Sequence, residues 1–282
     1  MTTFGSDDTV PLLTRIEQYY DALPRRGARS EDFGPLVLFV REGKGWPYYA
    51  RPTLDWSGPV SADEVDRVRE RQRELGIPQT FEWVAELNPQ LREAAEKSGL
   101  NVHEHPLMVL DPQARLPMSD RTADGLPVRI VGPEDPALPS ALAVPRLAFA
   151  ESGTAVGAGG VADLEQMLSA TANDGSIEPV IARIRAGWTV VAAAVDDGLA
   201  LSAGQHQPVG TVSEIVGVGT LPTARRRGLG LAVTAALAAD ARARGVDTVF
   251  LSADDEDVAR IYGRLGFHRI ATALIAEAPA AV

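Results

Sequence analysis

The chain has 282 residues, a formal net charge of −11 and no cysteine. The missing cysteine excludes disulfides, thiolate metal sites and an acyl-cysteine intermediate, and the acidic balance argues against a nucleic-acid partner while permitting cationic ones. With 45% hydrophobic and 23% charged residues it reads as a globular chain of one large or two ordinary domains. No apolar run reaches the roughly 18 residues of a membrane span, and no signal-peptide pattern opens the chain. These points predict a cytoplasmic protein with neither nucleic acid nor membrane as partner.

In chain order, Leu12–Leu23 is predicted as a helix, and Pro35–Arg41 and Tyr48–Pro52 as short strands. Ser61 and Glu64 have the spacing of a capping box, opening a helix that ends at Gly76 with Pro78 beyond. Gln79–Leu87 alternates as a strand, Asn88-Pro89 starts a helix to Ser98, and Val102–Leu110 is a further strand. His103 and His105 alternate on that strand as two metal ligands would, but no third ligand follows, so no metal site is expected. Asp111–Leu126 carries two prolines, a glycine and no apolar periodicity. It is expected to link residues 1–110 to a second domain, 127–282.

Beyond it, Pro127–Gly132 is predicted as a strand, and Pro136–Ala150 and Val161–Ala172 as helices. Ser152–Gly160 between them is Gly-rich but lacks the Lys and Ser/Thr ending of a nucleotide loop, and is expected to be flexible. Ile177–Arg185, Trp188–Val195 and Ala200–Gln205 are predicted as antiparallel strands, the first pair turning at Ala186-Gly187. Thr211–Leu221 is the central strand and Arg226–Arg244 a helix stopped at Gly245. The strand Thr248–Ala253, the helix Glu256–Leu265 and the strand Phe267–Ala276 complete the chain.

The chemistry concentrates where the central strand meets Arg225-Arg226-Arg227-Gly228-Leu229-Gly230. A strand that delivers a Gly-rich turn onto a helix N-terminus makes an anion cradle. The first-turn N–H groups lack intrahelical acceptors, the helix end carries partial positive charge, and glycines admit a close approach. Arginines add donors suited to phosphate oxygens.

The order Val218-Gly219-Thr220-Leu221-Pro222, then Arg225-x-x-Gly228-x-Gly230, resembles the acetyl-CoA signature of the GCN5-related N-acetyltransferases. The family's C-terminal signature is matched by Val258-Ala259-Arg260-Ile261-Tyr262-Gly263-Arg264-Leu265-Gly266-Phe267. The resemblance covers roughly half the chain, about 127–277, and its two blocks lie in the family's order. It implies an α/β (α+β) acetyl-CoA N-acyltransferase fold, with a mixed, mostly antiparallel sheet flanked by helices. The β-α-β ending of residues 79–110 is similar to the last third of such a domain. The first half is therefore expected to be a second, smaller and degenerate acetyltransferase-like domain without a coenzyme site, the alternative being an unrelated small α+β domain.

The resemblance also implies the activity: acetyl transfer from acetyl-CoA, with no metal, to a primary amine on a small molecule or peptide. A homodimer is left open. Pantetheine would lie along Val218, Gly219 and Thr220, and pyrophosphate on Arg225, Arg226, Arg227, Gly228, Leu229, Gly230 and Leu231. Asp255 stands where the family often has an asparagine contacting the coenzyme; it keeps an acceptor and loses the donors. Tyr262 is read as the acid that protonates the leaving thiolate, or as a packing aromatic. Glu214, in Glu214-Ile215-Val216, is read as the base for the acceptor amine, or as a structural or substrate-orienting group. The alternative for the whole protein is an acyl-CoA-binding or regulatory protein without turnover.

Overall fold

A computed structural model describes residues 6–117, 120–151, 153–172 and 174–279. The chain forms two compact units, one of residues 1–108, 252–259 and 269–282, the other of 109–251 and 260–268.

The first unit opens with helix α1, Ser6–Ala22, and the strands β1 (Ala28–Asp32), β2 (Leu36–Arg41) and β3 (Arg51–Pro52), which pair in the order β1-β2-β3. Leu36–Val40 is buried without alternation, as a strand covered on both faces must be. Helix α2, Ala62–Glu74, begins with the predicted capping box: the Glu64 amide donates to Ser61 Oγ at 3.3 Å, and the Ser61 amide to the Glu64 carboxylate at 2.8 Å. Gly76, at φ +65°, takes the left-handed conformation that ends it. Strand β4 (Thr80–Val84), helix α3 (Leu91–Lys97) and strand β5 (Asn101–Leu110) follow. The last strand of the chain, β11 (Phe267–Glu277), lies between β4 and β5, its residues 273–277 antiparallel to Thr80–Val84. Leu38, Val65, Val68, Phe81, Trp83, Leu91 and Leu274 form the core of this unit.

The second unit holds strand β6 (Val128–Val131), helices α4 (Leu138–Ala150), α5 (Val161–Thr171) and α6 (Glu178–Arg185), strands β7 (Val190–Asp196), β8 (Leu199–Val209) and β9 (Val212–Thr220), helix α7 (Leu229–Ala243) and strand β10 (Thr248–Ser252). Its strands run β10-β9-β8-β7-β6, antiparallel except for the β9–β10 pair. Asp197 and Gly198, both at positive φ, make the two-residue turn from β7 to β8, the geometry that matches strand twist. Helix α8, Glu256–Gly263, precedes β11.

One predicted strand is a helix. Ile177–Arg185 forms α6 because Pro179 sits in the first turn, where a missing N–H costs nothing, and Glu178 complements the helix N-terminus. Gly187, at φ +70°, ends it, so Ala186-Gly187 is a helix stop rather than a hairpin turn. Strand β1 was not foreseen, since Ala28–Asp32 is polar and half exposed. The stretch expected as a linker, 111–126, falls in the second unit; residues 118 and 119 lie outside the described residues. Arg242 on α7 donates to the carbonyls of Asp111 at 2.6 Å and Ala114 at 2.7 Å.

Candidate coenzyme and acyl-transfer site

Strand β9 places the site, and a bulge in it sets which way its residues face. Ala203 opposes Gly219 and Gln205 opposes Val216, so Gly217 and Val218 together oppose Gly204 alone. Gly217 has φ +62°, a value that favours glycine. Ser213 Oγ meets His206 Nδ1 at 2.8 Å, and His206 Nε2 meets Asp240 on α7 at 2.9 Å. Ser213 therefore faces α7, and alternation turns Glu214 to the opposite face, the one α4 covers.

Past the bulge the pattern is offset. A Cβ on Gly230 of α7 would lie 3.4 Å from Thr220 Oγ1 and 3.8 Å from Val218, so these two face α7. A Cβ on Gly219 would lie 2.9 Å from Ala148 and Pro145 of α4, so position 219 admits no side chain. Glu214, buried at 8% exposure, thus shares the α4 face with Gly219.

The backbone of β9 is open beyond Glu214. Its parallel ladder with β10 covers Val212–Glu214 and Thr248–Phe250, while β9 runs six residues further beside β8. The Leu221 amide donates to the Leu201 carbonyl on β8 at 2.9 Å. By alternation the N–H and C=O of Thr220 and Val218 point away from β8, into the gap where that ladder has ended. Gly219 contributes differently from expectation: its carbonyl accepts from Ser202 Oγ at 2.9 Å, and Ser202 Oγ accepts from Thr220 Oγ1 at 2.9 Å. Its carbonyl is thus directed to β8 and its Cβ position is filled by α4.

The turn follows at once. Pro222–Ala224 is a short 3-10 turn, Arg225 is extended, Arg226 is left-handed at φ +68° and Gly228 left-handed at φ +76°. The predicted helix start at Arg226 is corrected to Leu229 by these two conformations, which no helix accommodates. The Ala232 amide makes the first helical bond, to the Gly228 carbonyl, and Gly228 supplies no side-chain cap. Among the described residues, the amides of Gly228, Leu229, Gly230 and Leu231 have no backbone acceptor and are left to an external one. A Cβ on Gly228 would meet nothing within 4 Å, so space lies open there. This is a cradle that fits a pyrophosphate. Leu229 itself is a core residue at 1% exposure, and offers the cradle only its backbone.

The three arginines divide. Arg225 does not point its guanidinium at the cradle: it donates to the carbonyls of Ala148 at 2.8 Å, Glu151 at 2.5 Å and Ala155 at 3.1 Å. Arg227 pairs with Asp124 at 2.6 Å. The Thr122 hydroxyl and then Arg227 hold the Asp124 carboxyl below its ordinary range. Arg226 is exposed and, among the described residues, its side chain has no hydrogen-bond or ion-pair partner. Of the three arginines, Arg225 and Arg227 thus spend their guanidinium groups on their own chain.

The loop after α4 was expected to be flexible and is fastened; Ser152, its first residue, lies outside the described residues. Gly157 donates to the Pro222 carbonyl at 3.1 Å, and Thr223 to the Gly159 carbonyl at 3.0 Å. The Glu151 carboxylate accepts from the Ala158 and Gly159 amides at 3.2–3.4 Å.

Tyr262 is half-buried on α8, its ring centroid 6.2 Å from that of Phe267. Asp255 spends its carboxylate on its own chain, accepting from the Val258 amide at 2.8 Å as the cap of α8. His105 Nδ1 contacts the Asp254 carbonyl at 3.1 Å and His103 pairs with Glu277 at 3.5 Å, so each has an ordinary partner. No group of three or more His, Asp or Glu among the described residues is arranged to hold a metal ion. Likewise no helix among them is long and apolar enough to cross a membrane.

Sequence reading missed the Ser213–His206–Asp240 chain, whose members sit on β9, β8 and α7. It has the order of a nucleophile, base and orienting acid, but Ser213 and His206 are fully buried and no substrate reaches them. It pins α7 to the sheet.

Comparison with known proteins bears on the fold. The family model described as FR47-like protein matches residues 198–275, the span of β8 to β11. The whole chain is similar in fold to a GCN5-related N-acetyltransferase from Kribbella flavida, with a TM-score of 0.66 and 22% identity over 95% of this chain and 96% of that one. It is also similar to a putative GNAT-family acetyltransferase from Novosphingobium aromaticivorans, with a TM-score of 0.55 and 15% identity over 96% and 99%. A third similar fold is a GCN5-related N-acetyltransferase from Sphaerobacter thermophilus, with a TM-score of 0.54 and 18% identity over 93% and 84%. No curated protein matches the chain in sequence. The FR47-like match and the similarity in fold to the GCN5-related N-acetyltransferases thus coincide over β8 to β11.

Proposed function

We propose that this chain, built on the GCN5-related N-acetyltransferase fold, moves an acetyl group from acetyl-CoA to a primary amine by direct attack within a ternary complex. The observation that carries the reading is the pairing of two features: the edge of β9 at Val218 and Thr220, past the end of the β10 ladder, and the amides of Gly228–Leu231, which among the described residues have no backbone acceptor. A thioester coenzyme has an amide-bearing arm and a pyrophosphate, and these features offer a strand edge and an anion cradle in that order. Acetyl-CoA would supply the activated acyl group.

In this reading the Thr220 and Val218 backbone groups hold the arm, and the amides of Gly228–Leu231 with the Arg226 guanidinium hold the pyrophosphate. Glu214, on the face α4 covers, takes a proton from the acceptor ammonium, directly or through water. The C–N bond forms as the C–S bond breaks, with a strand amide beside the developing oxyanion. Tyr262 gives its proton to the departing thiolate, which a phenol of ordinary pKa near 10 can do, and the second proton of the acylated nitrogen restores the phenol, directly or through water. The acidic net charge favours cationic amines, small or peptidic, as acceptors.

The test is CoA release from acetyl-CoA against a panel of polyamines, aminoglycosides, amino acids and peptides. Amine-dependent release is expected, with Tyr262→Phe lowering kcat on the order of a hundredfold and Glu214→Gln removing the acidic limb of the pH profile. Coenzyme binding without any amine-dependent release would instead favour a non-catalytic acyl-CoA-binding protein.

A further inference from the structure

We propose that Arg225 is a positioning residue that joins the phosphate turn to the loop after α4, so that coenzyme held at the turn also fixes that loop. The proposal rests on the reading of the turn as the coenzyme site.

Arg225 immediately precedes the left-handed Arg226, so whatever fixes its side chain also fixes the entry to the cradle. Its guanidinium binds three carbonyls of one short segment, Ala148, Glu151 and Ala155. Ala148 lies in the last turn of α4, where carbonyls lack helical donors and the helix dipole favours a cation. A planar fork with five donors suits three diverging acceptors; a lysine ammonium does not.

The link is continued by the backbone. The reciprocal bonds Gly157 to Pro222 and Thr223 to Gly159 stitch the loop to the residues just ahead of Arg225. Two loop glycines serve this close approach. A Cβ on Gly159 would fall 3.2 Å from Pro222, and one on Gly160 would fall 3.1 Å from Thr223. Loop and turn thus share one set of hydrogen bonds, and ordering either orders the other.

Hydrogen exchange on the full chain tests this, using coenzyme A as the probe with native protein, Arg225→Ala and Arg225→Lys. Without coenzyme, both variants should speed exchange in the 153–160 peptides roughly tenfold while the β8 and α7 peptides stay protected, which shows that the variants are folded. Coenzyme A should slow loop exchange in the native protein and not in either variant, and its affinity should fall roughly tenfold, within the usual range of coupling between sites. Lysine should not rescue it.

Native-like affinity in Arg225→Lys, or coenzyme protection of the loop surviving in Arg225→Ala, would overturn the proposal in favour of a direct phosphate contact. Absence of coenzyme binding to the native protein would remove the coenzyme reading and this coupling together. Binding with loop exchange unmoved would remove the coupling alone.

Discussion

An aspartate offers its carboxylate to the nearest unpaired donor, and at position 255 that donor is the Val258 amide at the start of α8. Asp255→Ala should therefore cost about 1 kcal/mol of stability, as losing an N-cap does, with coenzyme affinity unchanged; thermal unfolding and a binding titration check the two halves separately. The same economy explains the arginine triplet. Three adjacent guanidinium groups read from sequence as three phosphate ligands, yet two found partners in their own chain, Arg225 on the α4 loop and Arg227 on Asp124. The motif's spacing was legible because it is local and rests on backbone conformation. The partners were not, since they lie about a hundred and about seventy positions away in sequence.

At the scale of elements, the strand-turn-helix of β9 and α7 follows from residues that sequence displays openly: apolar alternation, a proline, then a glycine, Gly228, that takes positive φ. Failure came at α6, where Val180, Ile181 and Ile184 fit either a short strand or one face of a helix, and Pro179 decided for the helix. The union of α7 with its sheet is less legible still, because it runs through the buried His206. Burial alone pushes the Asp240 carboxyl up, but hydrogen bonds from His206 and Arg244 outweigh it and hold the carboxyl below its ordinary range. A depressed carboxyl contributes stability that is present above its unfolded pKa and lost as pH falls through the folded value. Native protein should thus lose stability on acidification through this group, and Asp240→Asn should show a lower plateau at neutral pH with a flatter acid limb. Denaturant midpoints measured across the acid range check it. An acid limb as steep as the native one would show that the group contributes nothing.

For the whole molecule, the consequential feature is that the last strand of the chain belongs to the first unit. β11 fills the place between β4 and β5, and Leu274 joins that unit's core. A sequence reading cuts a chain where composition changes, and Asp111–Leu126 looks like such a place, but strand pairing does not follow sequence distance. A fragment of residues 1–126 should consequently leave β4 and β5 with open edges and an incomplete core, and aggregate when expressed; a monomeric fragment with dispersed amide resonances would contradict this. How far the first unit derives from a second acetyltransferase-like domain is our proposal, and its β4-α3-β5 succession is what supports it.

We propose that the turn at Arg225–Gly230 holds the coenzyme. Calorimetric titration of acetyl-CoA into native protein and Gly228→Glu tests it most directly, with Gly228→Ala as a control for the strain that any side chain suffers at φ +76°. Micromolar binding to native protein is expected, retained within about tenfold by alanine and abolished by glutamate, whose carboxylate enters the space a pyrophosphate needs. Native-like affinity in the glutamate variant, or no affinity in folded native protein, would contradict it.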